Sequence, residues 1–342
     1  MKGQVTLKDI AKMLKISVPT VSRALKNYPD ISRETKRKVL QLVEELNYRP
    51  NQFALNLRKN KSNTIGVLIP EIVHHFFSTV ISGIIEVADE QGYSVMLFQT
   101  NESFEREVRE TRVMLNGRVD GLLISLSNET KNLDHLREFE RHNVPVVLFD
   151  KVMDGLQASQ VVVDDFEGAY SATQHLIDQG NERIAYIRGP LEPRNSVRRY
   201  NGFVKALEDA GRRLDERYLK TCHRVSKEEG YEFTQELLNL TEPPDAIFAA
   251  TDLVAIGSMQ AIHDKGLEIP KDISLCGFSD WMMASAVNPP LTSVRQPGFE
   301  MGRQAAELLF SDIKNIDEGV LKETKTVELK TELIQRASTT RI

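Results

Sequence analysis

Residues 5–25, VTLKDIAKMLKISVPTVSRAL, decide how the N-terminal end of this chain folds. Leu7, Ile10, Ala11 and Leu14 recur at the spacing of one helical face. Thr6 stands just before that stripe, where a side-chain oxygen can cap the first free N–H groups. Lys15-Ile16 makes the turn, and Ser17 is a second N-cap. Pro19 then falls in the first turn of the next helix, where its missing N–H leaves no bond unmade. Val21, Ala24 and Leu25 face inward on that helix, and Val18, Pro19, Ser22 and Arg23 face outward. Two short helices joined by a tight turn, the second with a small polar and basic outer face, describe a helix-turn-helix. A helical hairpin that merely packs on a larger body would show the same periodicity, so charge has to decide.

The charge is divided sharply. Residues 1–61 hold 14 Lys+Arg and 5 Asp+Glu, a net of +9, whereas the remainder holds 30 and 44, a net of −14. A basic nucleic-acid arm on an acidic body fits that division. A third helix is expected from Ser32 to about Leu46, with Val39, Leu42, Val43 and Leu46 inward. Arg33, Lys36, Arg37 and Lys38 crowd its first turns, suited to phosphate contact and counterion release. Such contacts position the protein without reading sequence. Base reading is expected at the start of the second helix, where Val18 and Pro19 offer apolar surface to a thymine methyl.

Val5-Thr6-Leu7, Asp9-Ile10-Ala11, Ser17 and Thr20-Val21-Ser22-Arg23 together resemble the N-terminal signature of the LacI/GalR family of bacterial transcription regulators. The resemblance extends through nearly the whole chain. It implies a DNA-facing set of Thr6, Ser17, Val18, Pro19, Thr20, Ser22, Arg23 and Asn27. Asn47-Tyr48-Arg49-Pro50 ends the third helix, because the residue before a proline is pushed out of the helical region. The segment that follows is too short to be stable as a free helix. The resemblance makes it a hinge that folds when two copies meet on the operator minor groove. Ala54, Leu57 and Arg58 would then touch DNA, Leu57 as the wedge that opens a base step. Leu55 departs from the pattern, since a polar or basic residue is commoner there.

From Thr64 onward short apolar runs, at 65–69, 94–98, 121–124, 144–149, 161–163, 184–187, 246–249 and 273–277, alternate with helical patterns, for example at 76–91, 106–116, 167–179, 200–210 and 253–265. That alternation means parallel sheets with helices on both faces, presenting ligands at the carboxyl ends of the strands. No glycine-rich phosphate loop occurs. The expected fold is thus an all-α helix-turn-helix head plus hinge helix, joined to an α/β body. By resemblance the body has two parallel-sheet subdomains of the type I periplasmic-binding-protein kind. The expected divisions are 1–50 for the head, 51–61 for hinge and linker, and 62–342 for the body. Its first subdomain would take about 62–162 plus 293–323, and its second about 163–292 plus 324–342.

Cleft candidates sit on the loops after strands. Phe76 and Phe77 match an aromatic pair that covers ligand in relatives, and Phe77 reads equally well as core. His74-His75 lacks a third His or Cys at ligand spacing, so no metal is expected and His75 reads as a hydrogen-bonding lid. Asp150 ends a strand and can accept from a sugar hydroxyl, as Ser125 and Ser127 can after another. Arg199 carries a fork of donors able to grip two oxygens, or else forms a surface ion pair. Asp252 lies in the matching Thr251-Asp252 landmark. Ser279 stands where many relatives place a ligand-gripping aspartate, and Pro193 where some purine-responsive relatives are basic, which disfavours a purine. Trp281, the sole tryptophan, either stacks on a sugar face or packs the cleft wall.

The expected partners are pseudo-palindromic operator DNA, a carbohydrate effector and a second copy of the chain, because side-by-side dimers suit a two-fold operator. No cofactor is expected. Residues 1–4 open no signal peptide, no run approaches the ~18 apolar residues of a membrane span, and two cysteines make no disulfide framework. A cytoplasmic location follows as the expectation. A transport binding protein would show a signal peptide and no basic head. An enzyme using Asp150, Arg199 and Asp252 would need a nucleophile–base pair or paired acids, and none stands at a recognisable spacing.

Overall fold

The computed structural model describes residues 5–46, 48, 61–73, 75–321 and 323–340. The hinge positions Ala54, Leu57 and Arg58 lie outside the described residues. The chain divides into two compact units, Met1–Ser62 and Asn63–Ile342.

In the first unit α1 is Leu7–Leu14, α2 Val18–Leu25 and α3 Arg33–Glu45. Thr6, Ser17 and Ser32 each accept a backbone N–H from three residues on, at Asp9, Thr20 and Thr35. Asp9 returns the bond to the Thr6 N–H at 2.9 Å, which completes a capping box. Lys15 ends α1 in the left-handed region at φ 52°. Ile10, Ala11, Val21, Ala24, Val39 and Tyr48 form the buried core between the three helices.

The second unit contains two six-stranded sheets. The first comprises β1 (Thr64–Ile69), β2 (Ser94–Gln99), β3 (Gly121–Ile124), β4 (Val146–Phe149), β5 (Ser159–Val163) and β11 (Thr326–Leu329), in the order β11-β5-β4-β3-β1-β2. The second comprises β6 (Ile184–Arg188), β7 (Leu219–Thr221), β8 (Ala246–Ala249), β9 (Ser274–Ser279), β10 (Thr292–Arg295) and β12 (Glu332–Ile334), in the order β12-β10-β9-β8-β6-β7. Among the described residues, only β10 and β12 pair antiparallel. Central strands such as β4, Val-Val-Leu-Phe, are buried at every residue. That explains why they read as unbroken apolar runs.

Helices cover the sheets: α4 His75–Glu90, α5 Phe104–Asn116, α6 Asp134–Arg141 and α11 Gly298–Asp317 belong to the first subdomain. The second carries α7 Asp165–Asp178, α8 Arg194–Asp209, α9 Lys227–Leu238 and α10 Asp252–Asp264. Neighbouring helices touch backbone to backbone. A Cβ on Gly302 of α11 would stand 2.0 Å from the Val80 carbonyl oxygen of α4, and one on Gly257 of α10 2.0 Å from that of Lys227 in α9. Only glycine permits that approach.

Sheet membership corrects the expected subdomain limits at two places. Residues 293–295 lie in β10 and belong to the second subdomain, and 326–329 lie in β11 and belong to the first. The chain therefore crosses after β5, after β10 and between β11 and β12. The last crossing was misplaced because β11 and β12 are short edge strands of alternating half-exposed residues, without an apolar run to mark them. A second correction concerns α8, which starts at Arg194 and not near Tyr200, with Pro193 in the N-cap position at φ −60°.

Candidate functional site

In the head, Ser17, Pro19, Arg23 and Asn27 are exposed, and Thr20 and Ser22 are half-buried. Val18 is a partial correction: it packs in part against the head core, so only one side of it faces out. Thr6 and Ser17 spend their side chains on capping, which leaves Thr6 a positioning role for α1 before any role at DNA. Arg23 pairs with Asp30 at 2.6 Å and lies 5.4 Å from the Tyr28 ring centre. The pair is exposed on both sides, so releasing Arg23 from it costs little.

In the body, the carboxyl ends of both sheets open on one cleft, with about 1070 Å³ of empty space that includes part of the open solvent. His75, Phe76, Asp150, Arg199, Asp252, Ser279 and Trp281 all line it. Ser125 does not; it lies buried behind Asp150 and donates to its Oδ2 at 3.5 Å. Ser127 is turned away as well, donating to Thr100 Oγ1 at 2.9 Å. Strand geometry explains both, because the residues just after β3 continue its alternation between faces.

Arg199 is no surface pair. It is 7% exposed, its Nε donates to Asp165 Oδ1 at 2.7 Å, and its Nη1 donates to the Ala250 carbonyl at 3.0 Å. The guanidinium also lies 3.7 Å from the centre of the Phe278 ring. Helix α8 thereby brings Asn195, Ser196 and Arg199 to the cleft from its first two turns. The same helix also reaches the first subdomain, through Arg194 to Asp154 at 3.3 Å and Arg198 to Glu328 at 2.8 Å.

Buried carboxyls surround this space. Burial pushes Asp165 up to about 6, against the opposing pull of Arg199. Burial also raises Asp150, opposed by Lys151 and Arg199, and it lifts Asp252 to about 6. Asp252 has a role that sequence reasoning missed. Its oxygens take the Ser293 hydroxyl and the Trp281 N–H, both at 2.5 Å, so it braces the loop that carries Trp281. Also missed was a polar cluster in which Lys151 Nζ donates to Glu102 at 2.5 Å and to Asn128 at 2.6 Å. Tyr186 Oη, Ser196 Oγ and Gln296 Nε2 are buried in the cleft wall without a protein partner. Buried polar atoms are rarely left so. Among the described residues no group of His, Cys, Asp and Glu is arranged to hold a metal ion, and no helix is long and apolar enough to cross a membrane.

Two family profiles cover the chain. The one described as "Bacterial regulatory proteins, lacI family" matches residues 6–51, and "Periplasmic binding proteins and sugar binding domain of LacI family" matches 62–336. This chain belongs to the LacI family. The HTH-type transcriptional repressor PurR of Haemophilus influenzae is 34% identical over 336 residues, covering 97% of this chain and 98% of the relative. The lac repressor dimer bound to operator and the anti-inducer ONPF superposes with a TM-score of 0.85 at 27% identity, covering 98% of this chain and 99% of that one. A complex of the transcriptional regulator CelR with cellobiose gives 0.74 at 28% identity, covering 98% and 100%. The LacI-family protein described here is accordingly a ligand-regulated, DNA-binding transcriptional repressor, and not an enzyme.

Proposed function

We propose that this LacI-family repressor binds a two-fold operator as a homodimer, and that a neutral sugar or sugar derivative in the cleft sets its operator affinity. The observation that carries the effector class is charge balance. Glu102, Asp150 and Asp252 line the cleft with Lys151, Arg199 and Arg224, three acids against three bases. Counting Asp165, which already holds Arg199 at 2.7 Å, the cleft has no excess of positive charge for an anionic guest. The rings of Phe76 and Trp281 offer apolar faces, and the unpartnered Tyr186, Ser196 and Gln296 groups suit hydroxyls. The cellobiose held by the CelR relative supports the same class. Ligand acts by binding two body states unequally, so operator DNA alters sugar affinity by the factor by which sugar alters operator affinity.

Trp281 emission tests the class. Monosaccharides, sugar acids, sugar phosphates, short oligosaccharides and hypoxanthine are titrated in turn, and a neutral sugar is expected to shift the emission saturably. A response to hypoxanthine or to charged sugars alone overturns the proposal.

Leu57→Ala tests the hinge. The wedge role implied for Leu57 leads us to expect operator affinity to fall by more than about tenfold, the scale of unstacking one base step, with the dimer and sugar binding unchanged. Affinity is measured on operator and random duplex at one salt concentration, and an unchanged ratio removes the wedge.

A further inference from the structure

Trp281 stands on a segment that its own backbone does not favour. The two residues before it, Ser279 and Asp280, take φ of 117° and 51°, and neither is glycine. Such conformations are strained and persist only where the surroundings impose them. Here the surroundings are polar. Asp280 donates its N–H to Ser293 Oγ at 3.0 Å. Its carboxylate is gripped on both oxygens, by Arg336 Nη2 at 2.7 Å and Arg295 Nε at 2.8 Å. The Asp280 side chain is 7% exposed, that of Arg336 18% and that of Arg295 49%. Arg336 is thus the partner better shielded from water, where a charge-assisted bond holds most firmly. Arg336 is itself fixed, since its Nη1 donates to the Leu291 carbonyl at 2.7 Å and its N–H to Thr292 Oγ1 at 2.8 Å.

We propose that Arg336, far from the cleft in sequence and outside its lining, is a positioning residue for effector recognition: through Asp280 it holds Trp281 in the cleft wall. This inference rests on the reading of Trp281 as part of a sugar site.

The experiment uses the full chain and acrylamide quenching of its sole tryptophan, first without sugar. Arg336→Met is expected to shift the emission to the red and raise quenching, and Arg336→Lys to recover part of the change. Ser338→Ala is the control for general damage to the same C-terminal segment, since Ser338 Oγ donates to the Leu275 carbonyl at 2.6 Å. It is expected to lower the melting temperature without moving the emission. The sugar that the wild-type screen identifies is expected to bind Arg336→Met at least about tenfold more weakly, because binding must then re-impose the strained turn.

Wild-type quenching in Arg336→Met overturns the proposal, as does an equal change in Ser338→Ala or unchanged sugar affinity alongside altered quenching. If Arg336→Met does not fold, Asp280→Asn is read in its place with the same expectation. If quenching changes as expected and no sugar binds even the wild type, the effector class fails while the placement of Trp281 by Arg336 stands.

Discussion

Arg199→Ala is expected to destabilise the body by about 3–5 kcal/mol, the scale of stranding one member of a buried ion pair, as well as to abolish the response to sugar. Asp165 would keep its buried site and lose the cation that faces it at 2.7 Å. The loss has a predictable pH dependence. Burial already holds Asp165 up at about 6, and removing Arg199 takes away the interaction that lowers it. An acid whose folded pKa is raised contributes its stability at low pH and loses it as pH rises through the folded value. The deficit relative to wild type should therefore be small near pH 5 and large near pH 8, as read by melting at both. Asp165→Asn in the Arg199→Ala background needs no cation, so it should restore melting at pH 8 without restoring the sugar response. Equal melting of Arg199→Ala and wild type at pH 8 would show that the pair does not hold the body.

Removing residues 1–62 is expected to abolish specific operator binding, a loss of about 10³-fold or more, the usual gap between specific and non-specific affinity. The excess positive charge lies in residues 1–61, and the rest of the chain carries −14. The body has its own buried cores under both sheets, so it should stay folded and still answer sugar through Trp281. Binding measured across a salt series decides the matter, because phosphate contacts give a steep slope. A truncated body with a steep slope and operator preference would move the DNA surface out of the head.

Much of the body could be read because parallel strands advertise themselves. Runs such as Val146–Phe149 are apolar on both faces, and the residue that ends such a run, here Asp150, falls at the carboxyl edge where the cleft forms. What escaped reading depended on distance along the chain. Lys151 meets Glu102 and Asn128 across 49 and 23 residues, and no local pattern signals that meeting. Arg199 was found as a residue but misplaced on a loop, since α8 begins six residues before the apolar pattern makes it visible. Ser125 was assigned to the cleft without regard to the side of the sheet it faces. The brace at Asp252 escaped reading through distance along the chain, since its partners Trp281 and Ser293 lie 29 and 41 residues away.

The glycine contacts between helices bear on how a small molecule can move so large a body. Where α4 meets α11, and α9 meets α10, backbone rests on backbone. At those glycines no side chain separates the helices, and close packing of this kind resists sliding. Compliance is left to the three crossings between the halves, after β5, after β10 and between β11 and β12. Asp150 belongs to one half and Arg199 to the other, so a guest touching both would apply a torque about those crossings. On this reading we expect leverage, and not a relay of rotamer changes, to carry occupancy of the cleft to the far edge of each half.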